Sequence, residues 1–338
     1  MRVPILTLAG ALLLSTLAIA QSSHLERLSD DQLDVVPPSA RVTGVVGNLE
    51  LRDTRCRPRS NEPLRQRIVD VAAQEWGFFG FSVVDQTRVD GQDEQPVRRG
   101  RRRWPRLSAS EYVRLADSIA GYWTVTPEGG WIIENQNGRW DGSASSARWR
   151  YPWSAAFVSW VMCESGLAES TRFQRAVAHH TYIDQAIRAA DDGAPAAFTA
   201  HDIGDAPILP GDLLCSGRRP AYRSLAERRR QMGEGARTHC DVVVALDEAR
   251  GRILTIGGNV RGTVSLKLMP AVRDPHVGLR PDGGTRPLFA HLRLRADPTG
   301  PDALLDSPTL RVIGCLGGPS RARLAANHVA LPSSLAPC

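Results

Sequence analysis

An α+β fold is predicted by three features of the sequence. Helix-period apolar spacing dominates the first half, and short apolar runs separated by Gly, Pro and Asp clusters follow from Pro210 onward. Roughly 200 residues between Glu62 and Leu294 are enough for one good core. Helices first and a small antiparallel sheet afterwards is the segregated arrangement in which helices cover one face or end of a sheet.

The elements follow in chain order. Met1-Arg2 and the apolar run Ile5 to Ile19, closed by Ala18-Ile19-Ala20, predict a signal peptide over residues 1–20 that is cut before Gln21. No later segment reaches roughly 18 apolar residues, so no transmembrane segment is expected in the mature chain, which is read as periplasmic or secreted. Residues 21–60 are polar and Pro-punctuated and read as a loosely ordered lead-in. Residues 61–295 form the principal domain. In it, Leu64, Ile68, Val71, Ala72 and Trp76 align on one helical face. A charged loop over 86–106 carries the run Arg98-Arg99-Gly-Arg-Arg-Arg-Trp-Pro-Arg106, which is either a solvated connection or an attractor of anionic surfaces; export excludes nucleic acid as the expected partner. Ser108-Ala-Ser-Glu111 has the capping-box form and opens a helix with Tyr112, Leu115, Ala116 and Ile119 aligned. A Gly- and Ser-rich connection, Gly138 to Ser146, leads to a buried helix beginning near Ser154, and helix again fits Arg172 to Ala189. Strands are expected at Asp212 to Cys215, Asp241 to Leu246, Arg252 to Ile256, Val264 to Leu268 and Leu288 to Leu294, and residues 296–338 are a C-terminal tail.

The formal charge is +6, and the basic residues are nearly all Arg, with Lys267 the lone Lys. Six cysteines follow the signal, an even number in an oxidising compartment, so at least one disulfide is expected, with its connectivity open. A buried free thiol suits Cys163 best, inside its helix. There is no C-x-x-C pair and no zinc-like His/Cys pattern, so neither a metal nor another cofactor is expected.

Five separated segments carry a resemblance: Pro152-Trp-Ser-Ala-Ala-Phe-Val-Ser-Trp160, His180-Thr-Tyr182, Pro210-Gly-Asp-Leu-Leu-Cys215, His239-Cys-Asp-Val-Val-Val244 and Ile256-Gly-Gly-Asn259. In this order they resemble the bacterial family called domain of unknown function 2272. They are also similar to the wider superfamily of CHAP amidases and NlpC-type cell-wall peptidases. The resemblance covers about residues 150 to 294 and implies a papain-like core in which a Cys opens a helix, a Pro-Gly-Asp turn starts the sheet and a His begins the next strand. It places Ser154 at the nucleophile, His239 at the general base and Asn259 at the residue that orients the base. Ser in the place of Cys is the departure from the pattern.

Physical chemistry sets the stakes of that departure. A residue in the first helical turn sits beside unpaired N–H groups and the positive dipole end, which stabilise a thiolate and can donate to an oxyanion. A serine hydroxyl is not ionised by a dipole worth about 1 kcal/mol, so Ser154 needs a base for its proton. Cys163 lies about 13 Å further along the helix and half a revolution away, and cannot substitute. Cys240 points to the strand face opposite His239, whereas Asp241 shares that face at about 6.5 Å and suits a supporting role. Competing structural readings stand beside these: Ser154 as a helix cap, Asn259 as a positive-φ turn residue, His180 as a core histidine and Trp153 as packing or as the border of a cleft. Two functions follow. The first is a peptidoglycan amide-bond hydrolase of the amidase or endopeptidase type. The second is a catalytically inactive member that binds peptidoglycan stem peptides or a protein. A disulfide-stapled envelope-assembly protein is a third class, expected if side chains fill the space around Ser154.

Overall fold

The computed structural model describes residues 24–59, 63–87, 107–219, 222–283, 286–315 and 319–329. The signal peptide, most of the basic loop and Cys338 lie outside them. The lead-in is more ordered than its composition suggests. After a short 3-10 turn at Pro38–Arg41 it forms a hairpin of β1 (Val42–Val45) and β2 (Asn48–Leu51). Leu33, Val35, Val42 and Leu49 join the main core, fully buried Arg41 donates to Glu164, and Cys56 is bonded to Cys163, so charge pairing and a disulfide add to a small apolar contribution. Cys163 is therefore not a free thiol.

Helices follow. Leu64–Phe78 is α1, and the edge strand β3 (Ser82–Asp85) comes after it. Next are α2 (Ala109–Arg114), with the Ser108 hydroxyl accepting from the Glu111 N–H as the capping pattern requires, α3 (Ala116–Trp123) and α4 (Gly129–Asn137). The central α5 (Ser154–Glu164) is buried at every residue, which its run of apolar and small side chains permits. The sixth helix, α6 (His179–Asp191), starts later than its apolar spacing predicts: Arg172–Ala178 is irregular, held by contacts such as Ala176 N–H to Ser159 Oγ.

The remaining elements are β4 (Phe198–His201), β5 (Leu213–Arg219), α7 (Leu225–Arg229), β6 (Arg237–Asp247), β7 (Arg252–Val260), β8 (Thr263–Asp274), β9 (Gly278–Pro281), β10 (Leu288–Leu294), α8 (Pro308–Cys315) and α9 (Pro319–Ala326). The strands join in the order β3-β8-β7-β6-β5-β10-β4, with β9 also on β8. All pairs are antiparallel except β3 with β8. The mixed α+β class is as expected, but the sheet is larger: β3 and β4, from the helical half of the chain, supply its two edges.

Helices α1 and α5 cover one face of the sheet, where Cys240, Val242, Val244, Leu266 and Leu268 join the main core. Side-chain alternation sends Asp241, Val243 and Lys267 to the other face, beside a smaller cluster containing Leu214, Ile253 and Met269. The approach of α5 depends on Gly258, where a Cβ would lie 2.5 Å from the Phe157 Cβ. Asp212, in the Pro210-Gly-Asp turn, is fully buried and structural: it accepts from Arg65 Nη1 at 2.7 Å, His291 Nε2 at 2.8 Å and the N–H groups of Leu209 and Leu294, both at 2.9 Å.

Candidate functional site

Ser154 is the first residue of α5. Trp153 occupies the cap position and makes no side-chain cap bond, so Ser154 is not the cap its position suggested. Its Oγ instead lies 2.7 Å from Nε2 of His179, the neighbour of the expected candidate His180. The signal for His179 was present: with Tyr182, Ile183 and Ala186 it forms the i, i+3, i+4, i+7 face that α6 buries. His180 is half-buried and contacts Ala236 at the approach to β6.

The other ring nitrogen of His179 identifies its protonation. Nδ1 accepts from the backbone N–H of Cys240 at 3.3 Å and also meets the Tyr182 hydroxyl. A backbone N–H can only donate, so Nδ1 carries no proton and the neutral ring carries it on Nε2. That Nε2–H therefore donates to the Ser154 Oγ. The cross-strand disulfide Cys215–Cys240 explains why the Cys240 N–H needs this acceptor. Its Cα atoms are 4.1 Å apart, the close spacing of a pair that exchanges no ladder bonds, so the N–H points away from β5.

His239 does not reach Ser154 in the observed arrangement. Its Nε2 donates to Asp241 Oδ1 at 2.9 Å, and Lys267 Nζ donates to Asp241 Oδ2 at 2.6 Å. The i, i+2 pair thus bonds directly, closer than the strand rise alone suggested, because side chains on one face lean together. A Cβ at Gly257 would sit 1.8 Å from Asp241 Oδ1, so the glycine gives the carboxylate its space. The rings of His179 and His239 meet edge to face with centroids 5.2 Å apart. Asn259 has φ 55° at the register shift that precedes the β7–β8 hairpin, and its side chain makes no hydrogen bond to His239 among the described residues. Trp153 is buried against Tyr122 and Phe79, which makes it packing rather than the border of a cleft.

Burial governs the charges. It pushes the His179 imidazole well below its ordinary range, helped by neighbouring His239, and it lowers His239 too, although Asp241 opposes the shift. Burial alone would raise the Asp241 carboxyl, but His239 and Lys267 hold it far below the ordinary carboxylate range. At neutral pH, with His239 uncharged, Lys267 is the balancing cation. A histidine depressed in the folded state takes its proton first in the unfolded chain, so stability present above about pH 6.5 is lost as pH falls below that value. The unfolding free energy is expected to fall between pH 7 and 5 by up to about 1.4 kcal/mol per pH unit for each buried histidine, seen as a lower thermal midpoint, and to fall less steeply in His179→Gln. Parallel pH profiles for the two proteins would remove His179 from this account.

Among the described residues no cluster of His, Cys, Asp and Glu could hold a metal, and no helix is long and apolar enough to cross a membrane. A family model described as "Uncharacterized protein conserved in bacteria (DUF2272)" matches residues 112–289, more than half of the chain, from α2 into β10. No curated protein and no solved structure matches.

Proposed function

The chain belongs to the bacterial DUF2272 family, and on that premise and the bonding of Ser154 we propose that it is an exported envelope protein whose papain-like core serves binding or assembly at the peptidoglycan rather than hydrolysis. One observation carries the reading: the hydroxyl in the nucleophile position accepts a proton bond from His179 Nε2, whereas a general base must offer an unprotonated nitrogen there. Ser154 is 8% exposed, and its neighbour Trp153 and its partner His179 are buried, so little of the hydroxyl is open to a substrate amide. The helix terminus, His239 and the Gly-Gly turn then persist as the scaffold of a hydrolase fold, consistent with Ser in the Cys position. Export, the cell-wall partner and the papain-like comparison rest on the signal-like N-terminus and the motif order.

A second reading, a serine amide hydrolase, is favoured by the 2.7 Å separation of Ser154 Oγ and the imidazole, within reach for proton transfer. It requires His179 to exchange tautomer, which would set its new Nδ1–H against the Cys240 N–H. Purified peptidoglycan decides between them. The wild type is expected to co-sediment with it and release no fragments, and Ser154→Ala should do the same with binding changed less than about twofold. Turnover by wild type that disappears in Ser154→Ala would overturn the non-hydrolytic reading and establish the serine nucleophile.

A further inference from the structure

A cavity of about 500 Å³ opens on the helical side of the chain between Arg139, Arg148 and Arg150, with Asp141, Ser145 and Trp149 completing most of its wall. The local backbone builds it. Buried Gln136 donates its amide to the carbonyls of Ser146 at 3.1 Å and Arg148 at 3.3 Å, and its Oε1 accepts from the Arg150 N–H at 3.2 Å. This clamp holds Arg148–Arg150 extended, with Trp149 buried and donating to the Ala116 carbonyl, so the flanking arginines both turn outward. Arg139, just past the end of α4, joins them.

Several arginines elsewhere are consumed in buried ion pairs: Arg41 with Glu164, Arg65 with Asp212, Arg228 with Asp184, Arg252 with Asp247. Among the described residues, Arg139, Arg148 and Arg150 have no acidic partner, and all three are exposed. The single carboxylate in the wall, Asp141, already accepts from the Ser143 N–H at 2.8 Å. Three uncommitted guanidiniums around one concavity form a fork array suited to phosphate or carboxylate oxygens. One residue after Arg150, Tyr151 packs on Trp131 with ring centroids 5.6 Å apart, and Trp131 is 56% exposed. Through Tyr151 this exposed indole is tied to the segment that carries Arg148 and Arg150, and an exposed aromatic face supplies the apolar contact that a sugar ring's C–H face requires.

We propose that the Arg139, Arg148 and Arg150 cavity binds an acidic saccharide, with the guanidiniums on its phosphate or carboxylate groups and Trp131 against its ring. The site stands whether or not Ser154 turns over, since it shares no residue with the Ser154 cluster.

Titration calorimetry of the intact mature chain with oligogalacturonate and with phosphomannan tests it, each at about 0.15 M salt to suppress unspecific attraction. Binding of either is expected, the tighter one identifying the anion. Arg148→Gln/Arg150→Gln should weaken it at least about tenfold and Trp131→Ala severalfold, with unchanged circular dichroism. The charge-matched control Arg172→Gln/Arg188→Gln, on exposed arginines elsewhere, should stay within about twofold of wild type. Binding of neither saccharide, or equal losses in the two double variants, would overturn the proposal. Tight binding of inorganic polyphosphate that competes fully and ignores Trp131→Ala would overturn the saccharide assignment.

Discussion

Replacing Asp212 by alanine is expected to cost about 3–5 kcal/mol, the range for removing one member of a buried ion pair. The substitution leaves the Arg65 guanidinium charged at 1% side-chain exposure and strips His291 and two backbone N–H groups of their acceptor. Arg65 also donates to the carbonyls of Pro210, Leu294 and Ala296, so the same loss loosens α1 from β10 and from the turn that starts the sheet. Asp212→Asn, which keeps one acceptor oxygen and the shape, should fall between wild type and alanine. Burial opposes ionisation of this carboxyl, yet His291 and Arg65 hold it below its ordinary range. Its contribution is therefore present above about pH 4 and lost as pH falls further toward the folded-state value. Urea unfolding at neutral pH measures the first effect, and a loss under about 1 kcal/mol for Asp212→Ala would contradict it.

Removing the Cys56–Cys163 bond should cost about 4–5 kcal/mol and removing Cys215–Cys240 about 3–4, because the chain-entropy penalty grows with the loop each bond closes. The separations are 107 and 25 residues. The longer bond also ties the polar lead-in to the middle of the main core, where the buried ion pair of Arg41 with Glu164 anchors the same segment. Cys56→Ser/Cys163→Ala and Cys215→Ala/Cys240→Ala, unfolded in urea without reductant, give the order directly. A smaller loss for the longer loop would show that the Arg41–Glu164 contact already holds the lead-in against the core.

What could be read from residue spacing was what depends on short-range physics. The capping box at Ser108, the buried helix from Ser154 and the strands β5, β6, β7, β8 and β10 each announce themselves within a dozen residues. The hairpin β1–β2, the strand β9 and the helix α7 are local too, but only four or five residues long, too short for a period to show. Two other missed elements depend on distant partners. Ser82–Asp85 becomes a strand because β8 offers it an edge, and Phe198–His201 because β10 does. At the site, Ser154 was legible as a helix-start residue and His179 as part of the apolar face of α6, but their pairing was not, because it depends on how α6 packs beside α5 and not on spacing within either helix. Asn259 fits two roles equally well in a linear reading, and its positive φ places it with the turn.

The parallel pairing of β3 with β8 has a kinetic consequence. Ser82 and Ser265 are partners 183 residues apart, so during synthesis from the N-terminus β3 exists long before the strand that covers it. Contacts of such sequence separation close late and slow folding, and the unpaired edge is meanwhile a template for association with other chains. Refolding is therefore expected to be limited by the arrival of this strand, and premature termination anywhere before β8 should yield aggregates rather than a smaller folded unit.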